Sequence, residues 1–166
     1  MIPLPWSGRV WRYVPKHAFA LHFGHVLTAR GRWNRAGQYG CLYLALTAEG
    51  ALAERERYAA LAALSGLPFG PHELVSIDLT IVDGALDLTD PGIQRRFGIT
   101  TDQLRADGAA AYERCRSIAD IARAEGHFVL FVPSAPLDGA INVVIYHDVP
   151  PASCQLSAGP DRIPIA

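Results

Sequence analysis

Residues 73–82 place Leu74, Ser76, Asp78 and Thr80 on one side and Val75, Ile77, Leu79 and Ile81 on the other. That period of two predicts a strand with two unlike faces. Residues 9–14 alternate Val, Trp and Tyr with arginines more loosely, which predicts a short half-buried strand ended by Pro15. Residues 41–46, 128–132 and 141–146 are apolar, β-branched or aromatic runs and read as buried strands. Asp83-Gly84 predicts a turn that brings residues 85–88 back as a hairpin partner of the preceding strand.

From Thr47 to Leu64 the chain changes to Ala, Leu, Glu and Arg. Thr47 has N-cap chemistry, Glu49 suits the positive end of the helix dipole, and Ser65-Gly66-Leu67-Pro68 stops the run. Thr89-Asp90-Pro91 and Thr100-Thr101-Asp102 predict two further helix starts, and residues 112–125 a long helix closed by Gly126. Residues 17–27 read as a short helix leading to a loop. Residues 30–40, rich in Gly, Arg and Asn, read as an irregular segment of the kind that holds ligands. Strands outnumber helices without regular alternation, which predicts an α+β fold. With 166 residues and no repeat or linker, the expectation is a single domain over residues 1–166.

Composition narrows the classes. Half the residues are apolar and a fifth are charged, with no apolar run long enough for a membrane span, so neither disorder nor a membrane protein is expected. The start lacks the basic and apolar regions of a secretory signal, which points to the cytoplasm. Cys41, Cys115 and Cys154, odd in number and far apart, read as core thiols rather than a disulfide framework or zinc site. A net charge of −1 gives no broad field for a polyanion. Arg30, Arg32 and Arg35 around Trp33 imitate a nucleic-acid patch, but the cluster is short, and no nucleic-acid binding is expected. His22-x-x-His25 lacks a third ligand, so no metal is expected, and His72, His127 and His147 read as surface or strand-end residues.

The candidate chemistry lies elsewhere. Arg32, in Gly31-Arg32-Trp33-Asn34, can hold a phosphate or carboxylate through two parallel hydrogen bonds, or be a solvated loop arginine. Trp33 can brace that loop or stack on a base. Tyr43 sits in an apolar run, where its hydroxyl needs a partner. Glu54 has Ala51 and Tyr58 at helical spacing, which puts it on or beside an apolar face, whereas Glu49, Glu56 and Arg57 read as solvated helix charges. Ser134 is outside any nucleophile elbow and is read as a hydrogen-bonding group, not a nucleophile. Asn142 either binds substrate or fixes the loop at residues 136–139.

Val10-Trp11-Arg12, Gly31-Arg32-Trp33-Asn34, Tyr43, Ala51-Leu52-Ala53-Glu54, Pro133-Ser134-Ala135 and Gly139-Ala140-Ile141-Asn142 occur in an order and spacing that resembles the RES domain. That family is the toxin half of a bacterial toxin-antitoxin pair. The resemblance implies a fold like the ADP-ribosyltransferases, a split, partly antiparallel β core with helices around an NAD cleft. It implies NAD as substrate, no metal, and cleavage of the nicotinamide-ribose bond by hydrolysis or phosphorolysis. Arg32, Glu54 and Tyr43 would be the catalytic set, with Arg32, Trp33, Tyr43, Ser134 and Asn142 binding substrate. Glu54 would stabilise oxocarbenium charge at the ribose, Tyr43 would contact the nicotinamide ribose or ring, and Arg32 would hold the pyrophosphate or orient Glu54. The acceptor stays open between water, inorganic phosphate and a side chain of a protein target, the last being mono-ADP-ribosylation. The expected partner is an antitoxin with an Xre-type helix-turn-helix domain that covers the cleft. A mean hydropathy of +0.14 adds the expectation that part of the apolar surface is shielded by that partner or by self-association. The rival reading is a non-catalytic nucleotide-binding module.

Overall fold

The computed structural model describes residues 1–23 and 26–165. Seven strands form one sheet: β1 (Trp6–Pro15), β2 (Cys41–Ala45), β3 (His72–Ile81), β4 (Ala85–Asp87), β5 (Val129–Pro133), β6 (Ile141–Tyr146) and β7 (Cys154–Ile165), in the order β4-β5-β6-β2-β1-β3-β7. Four helices among the described residues accompany it: α1 (Ala48–Leu64), α2 (Pro91–Phe97), α3 (Thr101–Arg105) and α4 (Ala109–Ala124). All strand pairs are antiparallel except β4 with β5. The fold is α+β, as the absence of regular alternation predicts.

The sheet is split in substance. β1 follows β3 along its whole length and β2 follows β6, but β1 and β2 meet at one register pair, Trp11 with Ala45. The two halves fold face to face. Val10, Ile77, Leu79 and Ile81 from one half pack with Leu42, Leu44, Val129, Phe131, Val143 and Ile145 from the other. The opposite face of the second half, Leu130, Val132, Val144 and Tyr146, is covered by Cys115, Ile118, Ala119 and Ala122 of α4. Alternation on β5 and β6 therefore serves two cores, which is why these runs carry no polar face.

Local chemistry explains the element boundaries. Thr47 is extended and its hydroxyl accepts from the Gly50 N–H, which starts α1. Asp90 caps α2 with Pro91 in the first turn, and Thr100 and Gln103 form a reciprocal capping box on α3. Cys41, Cys115 and Cys154 are buried free thiols, as expected, and burial pushes Cys41 up to about 12 and Cys154 up to about 11. No helix among the described residues is long and apolar enough to cross a membrane.

Two expectations need correction, and one strand has no counterpart among them. β4 is not a hairpin partner of β3: it lies parallel to β5, because β1 and β7 already occupy both edges of β3. Residues 17–27 form no helix among those described, only separate turns. His17 has a left-handed φ of 70° and donates its N–H to Glu73, and the Arg12 guanidinium takes the carbonyls of Ala20 and His22 that a helix would use itself. His25 lies outside the described residues. Finally, β7 carries no apolar signature, since Gly159, Pro160 and Pro164 interrupt it. An edge position tolerates such residues, and a register shift opposite Val75 and Ile77 absorbs the irregularity.

Candidate active site

A cavity of about 360 Å³ lies where β1 and β2 part, walled by the ends of both strands, the loop at residues 29–33, one face of α1 and Tyr112 of α4. Its size suits a small-molecule ligand. Arg32 and Glu54 both line it, together with Trp33, Tyr43 and Asn142.

Glu54 reaches the cavity because Ala51, one turn earlier on the same face, is buried against the sheet. Its Oε1 accepts from Asn142 Nδ2 at 2.6 Å and from Ser134 Oγ at 3.2 Å. Asn142 is held in register by β2 and β5, opposite Ala45 and Val132. Ser134 follows β5, with its N–H bound to Ala140 and its hydroxyl accepting from Leu137. The carboxylate is thus fixed by two donors 80 and 88 residues away in sequence. Ser134 is fully buried and turned to Glu54, so its structural role is to orient that carboxylate, and Asn142 does the same through its amide nitrogen. The Asn142 Oδ1 is buried without a hydrogen-bond partner among the described residues.

Tyr43 presents its ring to the cavity, with 38% of its surface open, while its hydroxyl is enclosed. That hydroxyl accepts from the Trp33 N–H and donates to Asn34 Oδ1, both at 2.9 Å. Burial pushes the phenol well above its ordinary value, so it stays protonated. A Cβ on Gly31 would lie 2.1 Å from this oxygen, so only glycine fits there. The Trp33 indole is buried in the core on the α4 side, and its carbonyl accepts from Tyr146, an arrangement that braces the loop. Arg116 of α4 secures the same loop, its Nε donating to the carbonyls of Gly31 and Asn34 at 3.1 Å.

Arg32 is 8% exposed and far from a solvated loop residue. It donates to the carbonyls of Leu104, Arg105 and Ala106 and to Asp107 Oδ1, and its plane lies 4.5 Å over the Tyr112 ring. Its hydrogen bonds therefore staple the cavity wall to the end of α3 and the connection that follows it. Arg57 corrects the sequence reading: it is no solvated helix charge but lines the cavity and bonds Asp107 and the Tyr112 hydroxyl. Its spacing of three from Glu54 carried the signal. Trp11 and Tyr13 on β1, Tyr58 on α1 and His72 on β3 add an aromatic lining that the sequence reading did not assign. Burial raises Tyr13 and Tyr58, with the Glu54 charge adding to both. Burial lowers His72, helped by the nearby Arg55 charge. No cluster of three or more His, Cys, Asp or Glu able to hold a metal occurs among the described residues.

The family model of the RES domain matches residues 9–162. The NAD(+) phosphorylases MbcT of Mycobacterium bovis and Mycobacterium tuberculosis are 26% identical over 163 residues, covering 97% of this chain and 86% of theirs. The crystal structure of the M. tuberculosis MbcT-MbcA toxin-antitoxin complex superposes on the fold with a TM-score of 0.74 at 24% identity, over 97% of this chain and 85% of that one.

Proposed function

The chain belongs to the RES domain family, and from that premise we propose that it is the NAD-cleaving toxin of a toxin-antitoxin pair, acting as one RES domain in the cytoplasm. The observation that carries this reading is a helical carboxylate fixed by two distant side chains at the wall of an aromatic-lined cavity.

In NAD the nicotinamide is already cationic and leaves as a neutral ring, taking the electron pair of the C–N bond. The leaving group therefore needs no proton. Positive charge develops at the ribose, and a pre-oriented carboxylate is what stabilises it. Glu54 supplies that group, and Ser134 and Asn142 act through it as positioning residues. Tyr43 offers the ring on which the nicotinamide end rests, Trp33 and Arg32 keep the wall in place, and the guanidinium of Arg32 adds positive charge on the pyrophosphate side. Inorganic phosphate is the acceptor favoured by the name of the mycobacterial relatives. Its oxygen then bonds the ribose carbon that nicotinamide has left, giving a phosphorylated ADP-ribose. An antitoxin with an Xre-type domain covers the cleft in this reading, as the antitoxin partnership of the MbcT fold relative suggests.

The test is nicotinamide release from NAD by the purified protein, with and without phosphate, beside Glu54→Gln. Release that needs phosphate and is lost in the variant supports phosphorolysis. Free ADP-ribose without phosphate indicates water as acceptor, and a mass shift on another protein indicates ADP-ribosylation. Binding without any release sinks the enzymatic reading in favour of a nucleotide-binding module.

A further inference from the structure

Four guanidiniums line the cavity: Arg12, Arg30, Arg32 and Arg57. Three are already tied to the protein, Arg12 and Arg57 through one terminal nitrogen each and Arg32 through both. Arg12 donates to the carbonyls of Ala20 and His22, Arg32 to three carbonyls and Asp107, and Arg57 to Asp107 and Tyr112. Arg30 differs: it is exposed on the cavity side of the loop and has no hydrogen-bond or ion-pair partner among the described residues. Every donor of its planar fork is available to a ligand.

The remaining walls cannot serve an anion. Glu54 is a fixed negative charge, the spare atom of Asn142 is an acceptor, and the rest is largely aromatic or aliphatic. We propose that Arg30 binds a phosphate oxyanion at the mouth of the cavity, through the two-pronged contact a guanidinium makes with such groups. Arg32, the arginine that the sequence singles out, anchors the wall instead. The proposal rests on the NAD reading only for the source of that phosphate, which is either the pyrophosphate of the dinucleotide or the inorganic phosphate acceptor.

Calorimetric titration of the full chain with ADP and with adenosine separates the two ideas. Arg30→Ala weakens ADP by roughly tenfold, the scale of one lost charge-assisted contact, and leaves adenosine unchanged. Arg30→Lys recovers part of the loss, and the wild-type affinity for ADP falls with added salt. Unchanged ADP binding in Arg30→Ala overturns the proposal, as does an equal loss for both ligands or no ADP binding by the wild type. Turnover then assigns the source. A raised KM for NAD places Arg30 on the pyrophosphate, and a raised phosphate requirement at an unchanged KM for NAD places it on the acceptor. A wild type that releases no nicotinamide refutes the proposed activity while the ADP titration still decides Arg30.

Discussion

Both side-chain donors to Glu54 land on Oε1, which makes its position sensitive to single atoms. Asn142→Asp replaces a donor 2.6 Å away by a second carboxylate, so one of the two must take up a proton or turn aside. Nicotinamide release falls by roughly a hundredfold or more in that variant, as for loss of a pre-oriented electrostatic group. Ser134→Ala removes the weaker donor and lowers kcat by about tenfold with little effect on KM, since the hydroxyl acts only through Glu54. Tyr43→Phe keeps the ring but strips the Trp33 N–H of its acceptor, costing about 1–3 kcal/mol of stability in a chemical denaturation curve. Arg32, Tyr43, Glu54, Ser134 and Asn142 could be named from sequence because their types and order follow the RES pattern. What each touches could not, because Arg32 finds its acceptors more than seventy residues downstream. Arg57 was hidden among ordinary helix charges for the same reason.

The helix that presents Glu54 begins at a local device, the Thr47 cap. Thr47→Ala lowers stability by about 1 kcal/mol, or roughly 2–4 °C in melting temperature, and loosens the first turns of α1 ahead of the carboxylate. Elements governed by such local rules were legible. β3 announced itself by alternation, and α1, α2 and α3 by their caps. Elements governed by distant pairing were not. The turn at Asp83-Gly84 looks like a hairpin, and only the occupied edges of β3 send β4 to β5. The segment after Pro15 has helix-compatible residues, yet Arg12 and Glu73 draw its backbone groups away. β7 is a strand only because β3 offers it an edge.

Across the molecule, ion pairs fasten α4 to its surroundings. Hydrogen bonds from Arg123 hold Asp148 below its ordinary range, and those from Arg35 hold Glu113 low. A carboxylate whose folded pKa is depressed contributes stability that is complete above its unfolded value near about pH 4 and lost as pH falls through the folded one. Thermal melts should therefore change little between neutrality and about pH 5 on account of these groups and fall below about pH 4, and Asp148→Asn should flatten that acid limb. The raised thiols make a second global check: Cys41, Cys115 and Cys154 resist maleimide at pH 8 in the native protein, and all three react after denaturation. The sheet, finally, is joined across its middle by Trp11 and Ala45 alone, and the cavity opens at that seam. Any compound lodged there bridges both halves like a rivet. Occupancy then registers as a concentration-dependent rise in melting temperature, so compounds that fill the cavity can be screened by thermal shift even in the Glu54→Gln protein, with no turnover to consume them.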